Sequence, residues 1–107
     1  MVFKQENRKI PIQDNINVDN TTIEVSSDCG SDERVVIVYK NISTGGQTIW
    51  LAWNAPAQAS KGIELTPGAV WSESKDANYT PLGYPIQAIG SAVSATLSRF
   101  ERREPRV

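Results

Sequence analysis

The sequence predicts a small all-β domain, an antiparallel β-sandwich or barrel with an extended N-terminal arm. Three observations predict it. Short runs alternate apolar and polar residues with period two, clusters of Gly, Pro, Asn and Asp separate those runs at spacings of about ten residues, and no stretch carries a sustained helical stripe. At 107 residues, 39% of them hydrophobic and 21% charged, the composition is that of one soluble domain with a single core.

The elements follow in chain order. Lys9 to Val18 alternates Ile10, Ile12, Ile16 and Val18, but Pro11 removes an amide from any ladder it joins. Residues 1–20 are therefore expected as an arm lying on a neighbouring subunit or as an edge strand of the same domain. Thr21 to Ser26 has Ile23 and Val25 on one face, and Asp28, Gly30 and Asp32 then turn the chain. Arg34 to Lys40 (RVVIVYK) is apolar on both faces, as a central strand must be. The turn signal NISTGG, Asn41 to Gly46, joins it to Gln47–Asn54, with Ile49, Leu51 and Trp53 on one side and Trp50 on the other. Gly62 to Leu65 and Ala69 to Ser74 flank a Thr66-Pro67-Gly68 turn. Pro85 to Ile89 and Val93 to Arg99 close the pattern, and the sandwich is expected over residues 21–101, with a charged tail at 102–107. The predicted core contains Val36, Val38, Leu51, Leu65, Ile86, Val93 and Leu97.

Charge and chemistry narrow the function. With a net charge of -1 the chain lacks the strong basic field with which proteins hold nucleic acid, so no nucleic-acid partner is expected. No run of eighteen apolar residues spans a membrane, and the amino end has no apolar stretch of the kind that directs export. The absence of histidine and the single cysteine, Cys29, remove the usual nucleophile-base pairs and thiol-histidine metal sites. A lone Cys29 forms no intrachain disulfide, which suits a reducing compartment. Asn15, Asn17 and Asp19 begin with calcium-loop spacing, but Asn20 stands where glycine is required and Ser26 where glutamate is. No catalytic residue, cofactor, metal or small-molecule substrate is expected. Acidic residues crowd positions 14 to 33, and Arg99, Arg102, Arg103 and Arg106 crowd the end, so the two regions are candidates to attract each other between subunits.

The aromatic residues supply the remaining signal. Trp53 shares its face with Ile49 and Leu51 and belongs to the core. Trp50 and Trp71 lie out of phase with their apolar neighbours and are candidates for an exposed face, used as a subunit interface or as a platform for sugar rings. The candidate interface is thus Trp50, Trp71, Ile10, Ile12, Arg102 and Arg103.

Between Val38 and Glu101 the sequence has a strand ending in Lys40-Asn41, then Gly62-Ile63 with Leu65, Pro67 and Gly68, and a final pair from Ile86 to Leu97 and Glu101. In this stretch it resembles the small β-sandwich accessory virion proteins of tailed bacteriophages, of the decoration, head-fibre or tail-attachment type. The resemblance implies a non-enzymatic structural component of a virion, made in the host cytoplasm and assembling with itself and with capsid or tail proteins. It carries over no catalytic residue. The competing reading from the aromatic residues is a carbohydrate-binding β-sandwich module.

Overall fold

A computed structural model describes residues 10–106. Eight strands form: β1 (Ile12–Val18), β2 (Ile23–Ser26), β3 (Asp32–Asn41), β4 (Ile49–Trp53), β5 (Ile63–Leu65), β6 (Val70–Ser74), β7 (Ile86–Gly90) and β8 (Ala95–Pro105). They make two four-stranded sheets, ordered β1-β8-β3-β6 and β2-β7-β4-β5. Every neighbouring pair is antiparallel. The sandwich is thus the outcome of the two possibilities, and its interleaved strand order is that of a jelly roll.

The longest strands, β3 and β8, are the inner strands of the first sheet and share its longest ladder, from Asp32↔Pro105 to Asn41↔Leu97. The β-branched run Val35 to Val38 suits this central position. Asp28 starts the turn before β3 by accepting a hydrogen bond from Gly30 N–H at 2.7 Å. Gly62 precedes β5 at φ +83°, and a β-carbon there would meet the Leu51 carbonyl oxygen at 2.3 Å, so only glycine fits. Between the sheets lie Val18, Val25, Ile37, Tyr39, Ile49, Leu51, Leu65, Ile86, Ala88, Ala95 and Leu97, all buried.

Several sequence expectations are corrected here. Leu51, Leu65, Ile86 and Leu97 lie in the core, but Val36 and Val38 are only half-buried, because β3 turns Val35, Ile37 and Tyr39 inward. With valines on both faces, alternation alone could not fix which face points in. Val93 is 57% exposed, since the chain turns at Ser91–Ser94 and β8 begins only at Ala95. Of the two readings of residues 1–20, an arm on a neighbouring subunit or an edge strand of the same domain, the described part is the edge strand, over Ile12–Val18, fully paired with β8 and ending in the buried Val18; residues 1–9 lie outside the described residues. The expected tail is likewise no separate segment up to Pro105, because β8 carries Arg102 and Arg103 in its ladder with β3; Val107 lies outside the described residues.

The facing of β3 is directly testable. Ile37→Ala should cost about 2–5 kcal/mol of stability by opening a core cavity. Val38→Ala, on the half-exposed face, should cost about 1 kcal/mol or less, with chemical denaturation measuring both.

Candidate functional site

One end of the sandwich is organised by a buried ion cluster. Glu101 of β8 and Arg34 of β3 are both 0% exposed, and Arg34 Nε donates to Glu101 Oε2 at 2.7 Å. A register shift between Arg34 and Val36 is the local cause: the bulge lets Arg34 and Val35 both turn inward. Arg103 Nε donates to the same oxygen at 2.7 Å, and Ser26 Oγ of the second sheet donates to Glu101 Oε1 at 2.8 Å. Ser26 in turn makes a short hydrogen bond with the Tyr39 hydroxyl. The two terminal nitrogens of Arg34 donate to the backbone carbonyls of Leu82, Tyr84 and Ser27. Burial alone would push the Glu101 carboxyl up, but the hydrogen bonds and positive charge of Arg34 and Arg103 hold it below its ordinary range. Tyr39, walled in, is pushed up to about 12 by burial. Each Glu101 oxygen and each guanidinium is engaged, so the cluster clamps the two sheets and the adjoining loops together.

Beside it, Asp28, Cys29, Gly30, Pro81, Gly83 and Arg106 line an open cleft of about 360 Å³. Burial pushes the Cys29 thiol up, against the lowering influence of Arg34 and Arg103. Among the described residues no group of His, Cys, Asp or Glu is placed to hold a metal ion.

On the flank where β5 and β6 form the sheet edges, a groove of about 280 Å³ opens among Trp53, Ile63, Trp71, Glu73, Tyr79 and Leu82. Trp53 meets Trp71 edge to face, with ring centres 4.9 Å apart, and Trp71 lies nearly parallel to Tyr39 at 6.4 Å. The Tyr79 hydroxyl donates to Glu73, which raises the tyrosine above its ordinary range.

The opposite flank is the edge of β1. Its direction of bonding can be read from its neighbours. Asn41 N–H donates to Ala69 O and Lys75 N–H to Val35 O, so the odd-numbered residues of β3 and β6 bond each other. Val70, Ser72 and Ser74 therefore turn their N–H and C=O groups to the open edge. Ile42 N–H donates to Thr96 O, which by the same alternation leaves Gln13, Asn15 and Asn17 turned outward on β1. Pro11, which has no N–H, stands in that outward phase, where its missing donor breaks no internal bond.

The predicted interface residues scatter across these features. Ile10, at the start of the β1 edge, is 90% exposed, and Ile12 is 38% exposed. Trp50 is not an exposed face: it is buried, and its indole N–H donates to Glu64 Oε1 at 2.9 Å. Trp71, by contrast, is turned inward, because it pairs in register with Tyr39. Arg103 belongs to the buried cluster, and Arg102 pairs with Glu104. The acidic front and basic end meet inside one chain, where Nε and Nη2 of Arg99 donate to Oδ1 and Oδ2 of Asp14 at 3.0 and 2.7 Å. Arg34 and Glu101 were missed by sequence reasoning, although continuing the alternation of Ala95 and Leu97 through Arg99 leads to an inward Glu101.

No protein-family model matches the chain, and no curated protein matches its sequence. Among solved structures, one described as Bacillus endospore appendages that form a novel family of disulfide-linked pili aligns with it. The alignment covers 100% of this chain and 98% of that one, at a TM-score of 0.55 and 16% identity. At that identity the likeness shows a shared fold. The bacteriophage-virion function expected above, with its capsid and tail partners, is corrected by this finding, because a structure that shares the fold end to end is a bacterial appendage. The turns and alternations behind the expectation are those of jelly-roll hairpins, and they specify the sandwich without specifying the particle.

Two outcomes test the clamp. Arg34→Met leaves a buried carboxylate short of its main partner and should cost about 3 kcal/mol or more in chemical denaturation. Glu101 titrates lower in the folded chain than its ordinary 4.5, so its contribution is complete above that pH and fades as pH falls through the folded value. The stability gap between the wild type and Glu101→Gln should accordingly be wide at neutral pH and narrow in acid.

Proposed function

We propose that this chain is a non-enzymatic structural subunit that associates with copies of itself through the open edges of its sheets. The observation that carries this reading is the pair of edges of the first sheet that no strand among the described residues covers, with outward backbone groups on β1 and β6 and exposed Ile10, Ile12 and Val70 beside them. Unpaired edges of this kind are templates for pairing with another chain, and a monomer would be expected to block them. Exposed large apolar side chains at the same edges add contact area that water opposes.

The absence of histidine and the locked state of the Arg34–Glu101–Arg103 cluster favour a role without chemistry. The similar fold of a pilus-forming protein agrees with self-association, and that pilus is named as disulfide-linked. A disulfide-linked file of identical subunits requires two cysteines in each. These 107 residues hold one, Cys29, and it is buried, which favours contact through the sheet edges over a disulfide link.

Sedimentation velocity over a concentration series, with electron microscopy of the concentrated sample, tests the reading. The weight-average mass should climb with concentration well past that of a dimer. A monomer at every concentration would overturn it.

A further inference from the structure

We propose that the copies join head to tail within one sheet, the β6 edge of one copy pairing with the β1 edge of the next, in the register that sets Ser72 opposite Gln13. The inference rests on the self-association reading and specifies its geometry.

Strand direction comes first. Across β1-β8-β3-β6 every neighbour is antiparallel, and the sheet has four strands, so its two edges run in opposite directions. A second copy in the same orientation therefore presents β1 to β6 as an antiparallel partner. The bonding phase agrees. The outward groups of β6 belong to Val70, Ser72 and Ser74, and those of β1 to Gln13, Asn15 and Asn17. Both sets stand on the outer face of the sheet, as their registers with Val38 and Phe100 show. Pairing one set with the other continues the ladder and keeps the inner faces aligned.

Side chains then select the register. Setting Ser72 opposite Gln13 also sets Val70 opposite Asn15, and it brings Pro11 opposite Ser74 at the end of β6, where a missing donor costs one bond. On the inner face, Ile12 then lies opposite Glu73 at the mouth of the Trp53–Trp71 groove. Asp14, held by Arg99 of its own copy, lies opposite Trp71. Sliding two residues one way puts Asp14 directly opposite Glu73, and like charges opposed across a ladder repel. Sliding two residues the other way puts Pro11 opposite Ser72, in the middle of the contact. The chosen register covers the exposed Ile12 and leaves a free β1 edge at one end of any row of copies and a free β6 edge at the other, which is a heterologous contact that repeats.

Two sets of variants test it. Ser72→Pro removes only an outward N–H, so circular dichroism and thermal melting should match the wild type while the association constant falls at least tenfold. Association unchanged by Ser72→Pro, in a wild type that does associate, would overturn this geometry and leave the self-association reading standing. A monomeric wild type would overturn both. Register is read by cysteine trapping. Opposed residues of a bonded pair lie about 5.5 Å apart between α-carbons, within disulfide reach. Within one chain Gln13 and Ser72 are separated by three strand spacings, about 14 Å. Oxidised Gln13→Cys/Ser72→Cys protein should give a ladder of dimers, trimers and longer species on a non-reducing gel. Asn15→Cys/Ser72→Cys protein should not. Equal ladders from the two, or only closed dimers from the first, would overturn the register.

Discussion

The placement of a fully buried carboxylate, Glu101, against two guanidinium groups constrains much of the rest of the structure. Glu101 sits in the middle of β8, Arg34 on the neighbouring β3, and Ser26 on the opposed sheet, so a single charged centre fixes the distance between the two layers at one end. Arg34 also holds the carbonyls of Leu82 and Tyr84, and Arg103 those of Ser27 and Asp28, which pins two connecting loops that have no regular structure of their own. Burying such charges is expensive, and replacing them with apolar side chains is often neutral or favourable in other proteins. What the ions supply here is position. An apolar plug would fill the space without telling four carbonyls where to stand. At the other end, Asn41 serves the same purpose with neutral groups, donating to Gln47 O and Leu65 O and accepting from Ser43 N–H.

The fold was legible in the sequence because jelly-roll strands are short, alternating and punctuated, and that pattern survives without knowledge of partners. Facing was legible only where polar residues marked one side. Ala95 and Leu97 alternate with Thr96 and Ser98, and they point inward as expected; the valines of β3 carry no such mark, and their facing is set by the bulge at Arg34, which no alternation rule signals. The indoles show the same limit. Trp71 looked exposed when judged along its own strand, yet its direction is decided across the ladder by Tyr39. Trp50 does project outward, and it is covered all the same, with Glu64 on the adjacent strand accepting its N–H. Arg102 and Arg103 read as a solvated tail because charge in a terminal segment usually is solvated; their pairing with Glu104 and Glu101 depends on a strand that runs past the point where apolar residues stop.

The edges connect sequence to assembly more directly. Pro11 enters the sequence as an obstacle to a strand, and in the structure its missing donor falls on the side where nothing within the chain needs it. Edge strands tolerate proline on this condition. The same residue sets a boundary on what can pair with β1, since any incoming strand finds Gln13, Asn15 and Asn17 able to exchange both bonds and Pro11 able only to accept. A sheet of four strands adds a symmetry condition of its own. With an even number, both outward edges use residues of the same face, whereas an odd number would bring inner and outer faces together at every junction and bury polar surface against the core side.

The pairing of β1 with β8 has a mechanical consequence. The two strands are antiparallel, with Ile12 opposite Glu101 and Val18 opposite Ala95, so the amino end of β1 and the carboxyl end of β8 leave the sandwich at the same end. Tension applied between the two ends would peel β1 away one bonded pair at a time, beginning at Ile12, with the load carried by a single pair at each moment. Tension along the two strands in opposite senses from their far ends would instead load all the pairs together in shear. The β1–β8 pair is therefore compliant when pulled apart from Ile12 and Pro105 and stiff when the load runs along the strands.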